Sequence, residues 1–457
     1  MKTISKYMLI VLALSIFGCK KYLDAKPDDT LTTPENLSAL QALLDNGQYM
    51  NGSSPSMGEA SADDYYLLQS IYDTRTPVVQ AAYTWAMAGV SDYSFANVKD
   101  WANLYYTVYT ANLCLDELTN ISRTTVNAVS WDNVKGSALF FRARAFMQLL
   151  WVFSKAYDEN TANNDLGIVL RLGSDFNVPS VRSTVMDSYK QTISDLMDAV
   201  QYLPDNVSIQ TRPSKAAVYG YLARTYLSMR EYDSAYQYAD ACLQLDSNLI
   251  DYNDNTLVNF SASFPFKDLN KEIIHECYDN SLSISSIAQK NARIDSVLYN
   301  SYNSNDLRKS AFFKINTDGI IFKGSYNARG AWFTGIATDE MYLIRAECLA
   351  REGEPNDAMR DLNTVLMNRW KTGTFVPFSA TNENDALQII LAERRKELVF
   401  RDLRWMDIKR LNKDGAGISI KRIVNGQSDI LQSGDNRFAL PLPTDIISET
   451  NLPQNPQ

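Results

Sequence analysis

Apolar residues recur every three or four positions over long stretches of this chain. Trp101, Leu104, Tyr105, Val108, Ala111, Leu115 and Leu118 fall on one face of a helix. A second periodic run extends from about Val134 to Ala156, with Leu139, Phe146, Leu149, Leu150 and Phe153 on its face. A third starts at Thr184, where Asp187 completes a capping box, and Pro204 follows its end. Its apolar face is Tyr189, Ile193, Leu196, Val200 and Leu203. Between the second and third, residues 160–182 read as a long loop broken by Asn163-Asn164 and Val178-Pro179.

A repeat follows. From Pro213 to Asp246, small residues Ala223 and Ala235 stand twelve apart, with Arg230-Glu231 in the turn between them. Ala346 and Ala358 repeat that spacing, with Gly353 and Pro355 in the turn. Small residues so placed let two antiparallel helices approach closely, so both units look like the tetratricopeptide helix pair. The second departs from that pattern at Arg345, where leucine is usual. Residues 249–335 differ in texture: rich in Asn, Ser and Tyr, and poor in helical period. Phe313 to Tyr326 alternates around Asp318-Gly319 and predicts a hairpin. Residues 46–98 are comparable. The expected fold is therefore all-α: a tetratricopeptide-like scaffold over about 99–248 and 336–412, with long irregular insertions over about 46–98 and 249–335. In repeat scaffolds, insertions gather on one face, often the binding face.

The N-terminus reads as an address. Lys2 and Lys6 precede an apolar run from Met8 to Phe17, too short to span a bilayer core of about 20 residues. It ends at Ile16-Phe17-Gly18-Cys19, which resembles a lipoprotein processing site. That resemblance implies a signal peptide over 1–18, a lipid thioether on Cys19, and one mature domain over 19–457. The remaining cysteines, Cys114, Cys242, Cys277 and Cys348, show no CxxC spacing. Buried free thiols are the expectation, although the compartment permits disulfides.

Charge and chemistry narrow the function. A formal charge of −9 argues against nucleic acid, whose binding rests on clustered Lys and Arg. The one histidine, His275, sits in the apolar run Ile273-Ile274-His275 and reads as structural. No nucleophile elbow, metal-ligand spacing or phosphate-cradling glycine loop occurs, so no cofactor or metal is expected. Asp63-Asp64-Tyr65-Tyr66 reads as loop structure.

The C-terminal region carries the strongest resemblance. Glu393-Arg394-Arg395-Lys396-Glu397-Leu398, then Phe400, Arg404, Trp405, Asp407 and Arg410, is similar to a motif of the SusD/RagB family. Asp402-Leu403 stands where that family usually has Gly-His. Gly167-Ile168-Val169-Leu170-Arg171, the tail Leu440-Pro441-Leu442-Pro443 with Asn451 and Asn455, and Cys19 to Asp24 with Pro27 also look like the family's segments, in order. The motif reads physically as a charge cluster held against other helices.

This resemblance implies a non-enzymatic, lipid-anchored outer-membrane protein, exposed at the cell surface. It would bind a glycan or oligosaccharide and deliver it to a TonB-dependent SusC-like transporter. Sugar capture calls for flat aromatics against ring faces and for polar groups on the hydroxyls. The insertions offer Arg75 and Trp85 in one, and Tyr302, Arg308 and Trp332 in the other. For each, core packing is the competing reading. A peptide-binding member of the same family and a tetratricopeptide-type envelope scaffold are the alternatives.

Overall fold

The computed structural model describes residues 34–94, 96–279, 285–324 and 326–457. The expected signal peptide over 1–18 and the expected lipidation site Cys19 lie outside them. Seventeen helices occur among the described residues, whereas the strands are at most five residues long and pair only in twos. The architecture is all-α and tetratricopeptide-like.

Ten helices carry it: α1 Leu37–Leu44, α2 Asp100–Leu118, α3 Ala128–Phe153, α4 Val185–Val200, α5 Lys215–Met229, α6 Tyr232–Leu245, α7 Thr338–Arg351, α8 Pro355–Leu366, α9 Glu383–Glu397 and α10 Arg404–Lys413. From α2 to α9 each helix packs on the next. Helix α3 begins at Ala128, earlier than its apolar period indicates, and stops at Phe153. From Gly136 onward it is buried on every side, so only its exposed first turns look polar. Thr184 caps α4 as expected, accepting from the Asp187 amide.

The repeat is present. Ala223, Ala235, Ala346 and Ala358 are all fully buried. Arg230 ends α5 in the left-handed region (φ 67°), and Gly353 does the same after α7 (φ 84°). Arg345 has a use that leucine could not serve. Its guanidinium grips both oxygens of Asp361 on α8 at 2.6 and 2.8 Å, and Asp240 on α6 at 2.6 Å. It therefore ties the second helix pair to the first.

The expected loop over 160–182 is partly ordered by a short ladder. Leu166–Val169 pairs with Arg182–Thr184. A Cβ on Gly167 would lie 2.3 Å from the Thr184 carbonyl oxygen, so only glycine permits that approach. Arg182 then donates to Gly167 O, Phe153 O, Pro453 O and Asn455 Oδ1, which binds the tail to the end of α3.

The large insertion leaves after α6 and returns at α7, although α6 and α7 pack directly on each other. Its two ends are stitched together: Thr338 donates through its amide to Glu272 O at 3.0 Å and through its hydroxyl to Asn248 O. The predicted hairpin forms, Phe313–Asn316 against Gly319–Phe322. Residues 46–98 are not shapeless; they hold four short helices, including Met57–Ser61 and Pro77–Tyr83. All four described cysteines are buried and free.

Candidate functional site

The C-terminal motif is the seam between scaffold and insertions. Arg308, fully buried in the insertion, donates to Asp306, to Glu393 at 2.6 Å and to Glu397 at 2.9 Å. Arg369 joins Glu397 at 2.7 Å to Glu272 at 2.9 Å. Arg394 and Arg410 share Asp407, and Arg410 also grips Glu347 on α7. Burial favours the protonated form of Asp407, yet the two guanidiniums overcome it and hold the carboxyl below the usual range. Asp63 and Asp64, read as loop structure, are pinned by Arg404 at 2.7 Å and Arg395 at 2.8 Å. Burial opposes ionisation of Asp63, but Arg404 and Arg395 hold its carboxyl well below the ordinary value. Glu393 and Glu397 are thus committed to buried cations, which is a structural use.

Three of the five ligand candidates, Trp85, Tyr302 and Arg308, are buried within this packing. Trp85 is 1% exposed, and its Nε1 donates to Ser61 O at 3.0 Å. Tyr302 is 2% exposed, and its hydroxyl donates to Lys396 O at 2.7 Å. Arg308 is the buried hub just described. Arg75 is half-buried and caps its own turn, donating to Ile71 O and the Thr74 hydroxyl.

Trp332 is placed differently. Strand Trp332–Phe333 pairs with Tyr278–Asp279, and the hairpin brings Phe322 beside it. The indole, 6% exposed, rests on Phe400 with centroids 4.4 Å apart and lines a recess of about 270 Å³. Phe264, 40% exposed, stands on the same recess with Phe322. Gly324 makes room for it: a Cβ there would lie 2.7 Å from the Phe264 ring. Exposed Gln289 and Lys290 supply the polar rim, Gln289 donating from Nε2 to Phe322 O at 2.8 Å. An apolar floor with an amide and an ammonium at its rim suits a ring with one apolar face and hydroxyls around its edge. Phe264, Phe322, Gln289 and Lys290 were not singled out from the sequence, because only tertiary folding brings residues 264, 289 and 332 together.

Comparisons with known proteins agree with this architecture. A family model described as starch-binding associating with outer membrane matches residues 21–227, and the SusD family model matches residues 296–452. The SusD-like protein P2 of Formosa agariphila is 23% identical over 529 aligned positions, covering 99% of each chain. The SusD-like protein P38 of the same organism is 29% identical over 133 residues, covering 26% of this chain and only 23% of that one. A SusD superfamily protein from Bacteroides thetaiotaomicron superposes with a TM-score of 0.74 at 21% identity, over 92% of this chain and 100% of its own. A laminarin binding SusD-like protein gives 0.66 at 17% identity, over 91% and 97%. With matches on both halves of the chain, a shared helical fold and the charge motif embedded as the seam of that fold, this protein belongs to the SusD/RagB family.

Proposed function

We propose that this protein captures a glycan or oligosaccharide at the recess beside Trp332 and passes it to a TonB-dependent SusC-like transporter, held at the outer membrane by a lipid on Cys19. The observation that carries this reading is the recess itself. Two aromatic side chains, Trp332 and Phe264, stand on one small cleft in the insertion of a family whose members include a laminarin binding protein. The reading is of a binding protein rather than a catalyst: the motif carboxylates are engaged by arginines, and the recess lining includes no carboxylate. Arg75 keeps a place in the proposal as a half-exposed donor in the first insertion.

Contact with one aromatic wall is worth on the order of 1 kcal/mol. Trp332→Ala and Phe264→Ala should each weaken binding to a β-glucan oligosaccharide several-fold by calorimetry. Phe264→Ala should leave the melting curve unchanged, since that ring is largely exposed. Full affinity in both variants removes the recess from the reading.

A further inference from the structure

A second cavity, of about 320 Å³, lies where the end of α3 meets α10 and the turn Gly434–Ala439. It shares no lining residue with the Trp332 recess. Its volume falls at the lower end of the range for small-ligand clefts, roughly 300–1,000 Å³. Phe438 and Ala439 give it an apolar wall, and three lysines, Lys155, Lys409 and Lys413, line it as well.

Lys409 sets this cavity apart. It is only 5% exposed, and its Nζ donates to Trp151 O and Ser154 O, each at 2.6 Å. An ammonium has three donors, so one is left over. Both partners are neutral carbonyls at the C-terminal end of α3, and no carboxylate among the described residues forms an ion pair with it. A helix C-terminus presents about half an elementary charge, which leaves roughly half of the ammonium charge unmatched in a buried place. Burial accordingly pushes the Lys409 ammonium down to about 7. The one acidic group on the wall, Asp435, is spent: both oxygens accept from the Arg437 guanidinium, at 3.0 and 2.7 Å. Lys155 and Lys413 pair with Asp165 and Asp158 at 3.1 and 2.9 Å, and both lysines are over a third exposed.

We propose that this cavity binds a compact oxyanion, a carboxylate or a sulfate ester, with Lys409 as the buried counter-charge and Lys155 and Lys413 closing over it from the rim. The anion would supply what the fold leaves out, and its affinity would fall as Lys409 loses its proton. The charged groups facing Lys409 are Lys155 from the end of α3, Lys413 on its own helix, Asp435 and Arg437 from the turn, and Asp158 and Asp165 outside the rim.

The test is calorimetric titration of the whole mature protein with sodium sulfate, D-glucuronate and D-glucose at fixed ionic strength. Sulfate or glucuronate should bind at pH 6 and several-fold more weakly at pH 8.5, while glucose gives no signal at this site. Tighter binding of glucuronate identifies a carboxylate as the ligand group; equal or tighter binding of sulfate identifies a sulfate group. Lys409→Gln should abolish the signal. Because Lys409 also caps α3, Lys155→Gln/Lys413→Gln is measured beside it, and should lose several-fold in affinity at an unchanged melting temperature. Absence of anion binding to the unaltered protein, or binding that persists in both variants, overturns the proposal.

Discussion

The helical stack and the insertion that interrupts it are held by different physics. In the stack, α5 packs on α6 and α7 on α8 through alanines with no exposed surface, and within each of these pairs the helices are close in sequence. In the insertion the decisive buried groups are charged, and their partners come from far along the chain: Arg308 reaches Glu393 and Glu397, and Arg369 reaches Glu272. The alanine contacts of the stack are set by shape, which tolerates apolar change but little change of volume, while ion pairs such as Arg224–Glu340 and Arg345–Asp240 lie across it. The insertion is held by compensation of charge, which tolerates nothing that leaves one partner alone.

That contrast can be broken most sharply at Glu397, which serves two fully buried arginines at 2.9 and 2.7 Å. Glu397→Gln keeps the volume and removes the negative charge that the two guanidiniums share, leaving Arg308 to Asp306 and Glu393 and Arg369 to Glu272, so urea unfolding should show a loss of about 3–5 kcal/mol. A loss below about 1 kcal/mol would mean that shape, not charge, holds the insertion too. In the stack the matching test is Ala235→Leu, which overfills a closed helix contact. A cost of about 1–3 kcal/mol should appear as a lower melting temperature. An unchanged melting curve would remove the close contact that defines the repeat.

The smallest effect is at Glu276, where the insertion leaves a carboxyl incompletely compensated. Burial pushes this group up to about 7, against the Asn327 amide that donates to one of its oxygens at 2.7 Å. In the unfolded chain it titrates near the ordinary value of 4.5. Between those values the folded state holds the extra proton, so this group makes stability fall as pH rises through the window. Glu276→Gln should flatten the pH profile from 5 to 8 and add about 1 kcal/mol at pH 8. An unaltered slope would assign that pH dependence to other groups.

Legibility in the sequence follows the same division. The helix pairs were readable because their signal is local: Ala223 and Ala235, or Ala346 and Ala358, lie within one unit. The capping box at Thr184 and the hairpin at Phe313–Phe322 were readable for the same reason. The ladder of Leu166–Val169 with Arg182–Thr184 was not, since its bulged register hides any alternation. The hairpin Ile420–Val424 with Gln427–Leu431 could have been found: Asn425-Gly426, both with positive φ, is a strong two-residue turn signal. Trp85, Tyr302 and Arg308 carry side chains suited to sugars, and composition alone could not reveal that Ser61, Lys396 and Glu393 already occupy them. Gly330 and Gly335 mark the Trp332 loop in the sequence; Phe264, which lines the same recess, has no such flag.

The doorway through which the insertion leaves α6 and rejoins α7 has a consequence for how this molecule can change. With both ends of the segment fixed beside each other, closure entropy rises only slowly with added length. The stack keeps its register whatever is threaded through that gap, provided the arginine seam finds its acids. The segment can therefore behave as a cartridge: lengthened, shortened or rewritten to suit a new ligand, while the frame and the surfaces it offers to other proteins stay as they are.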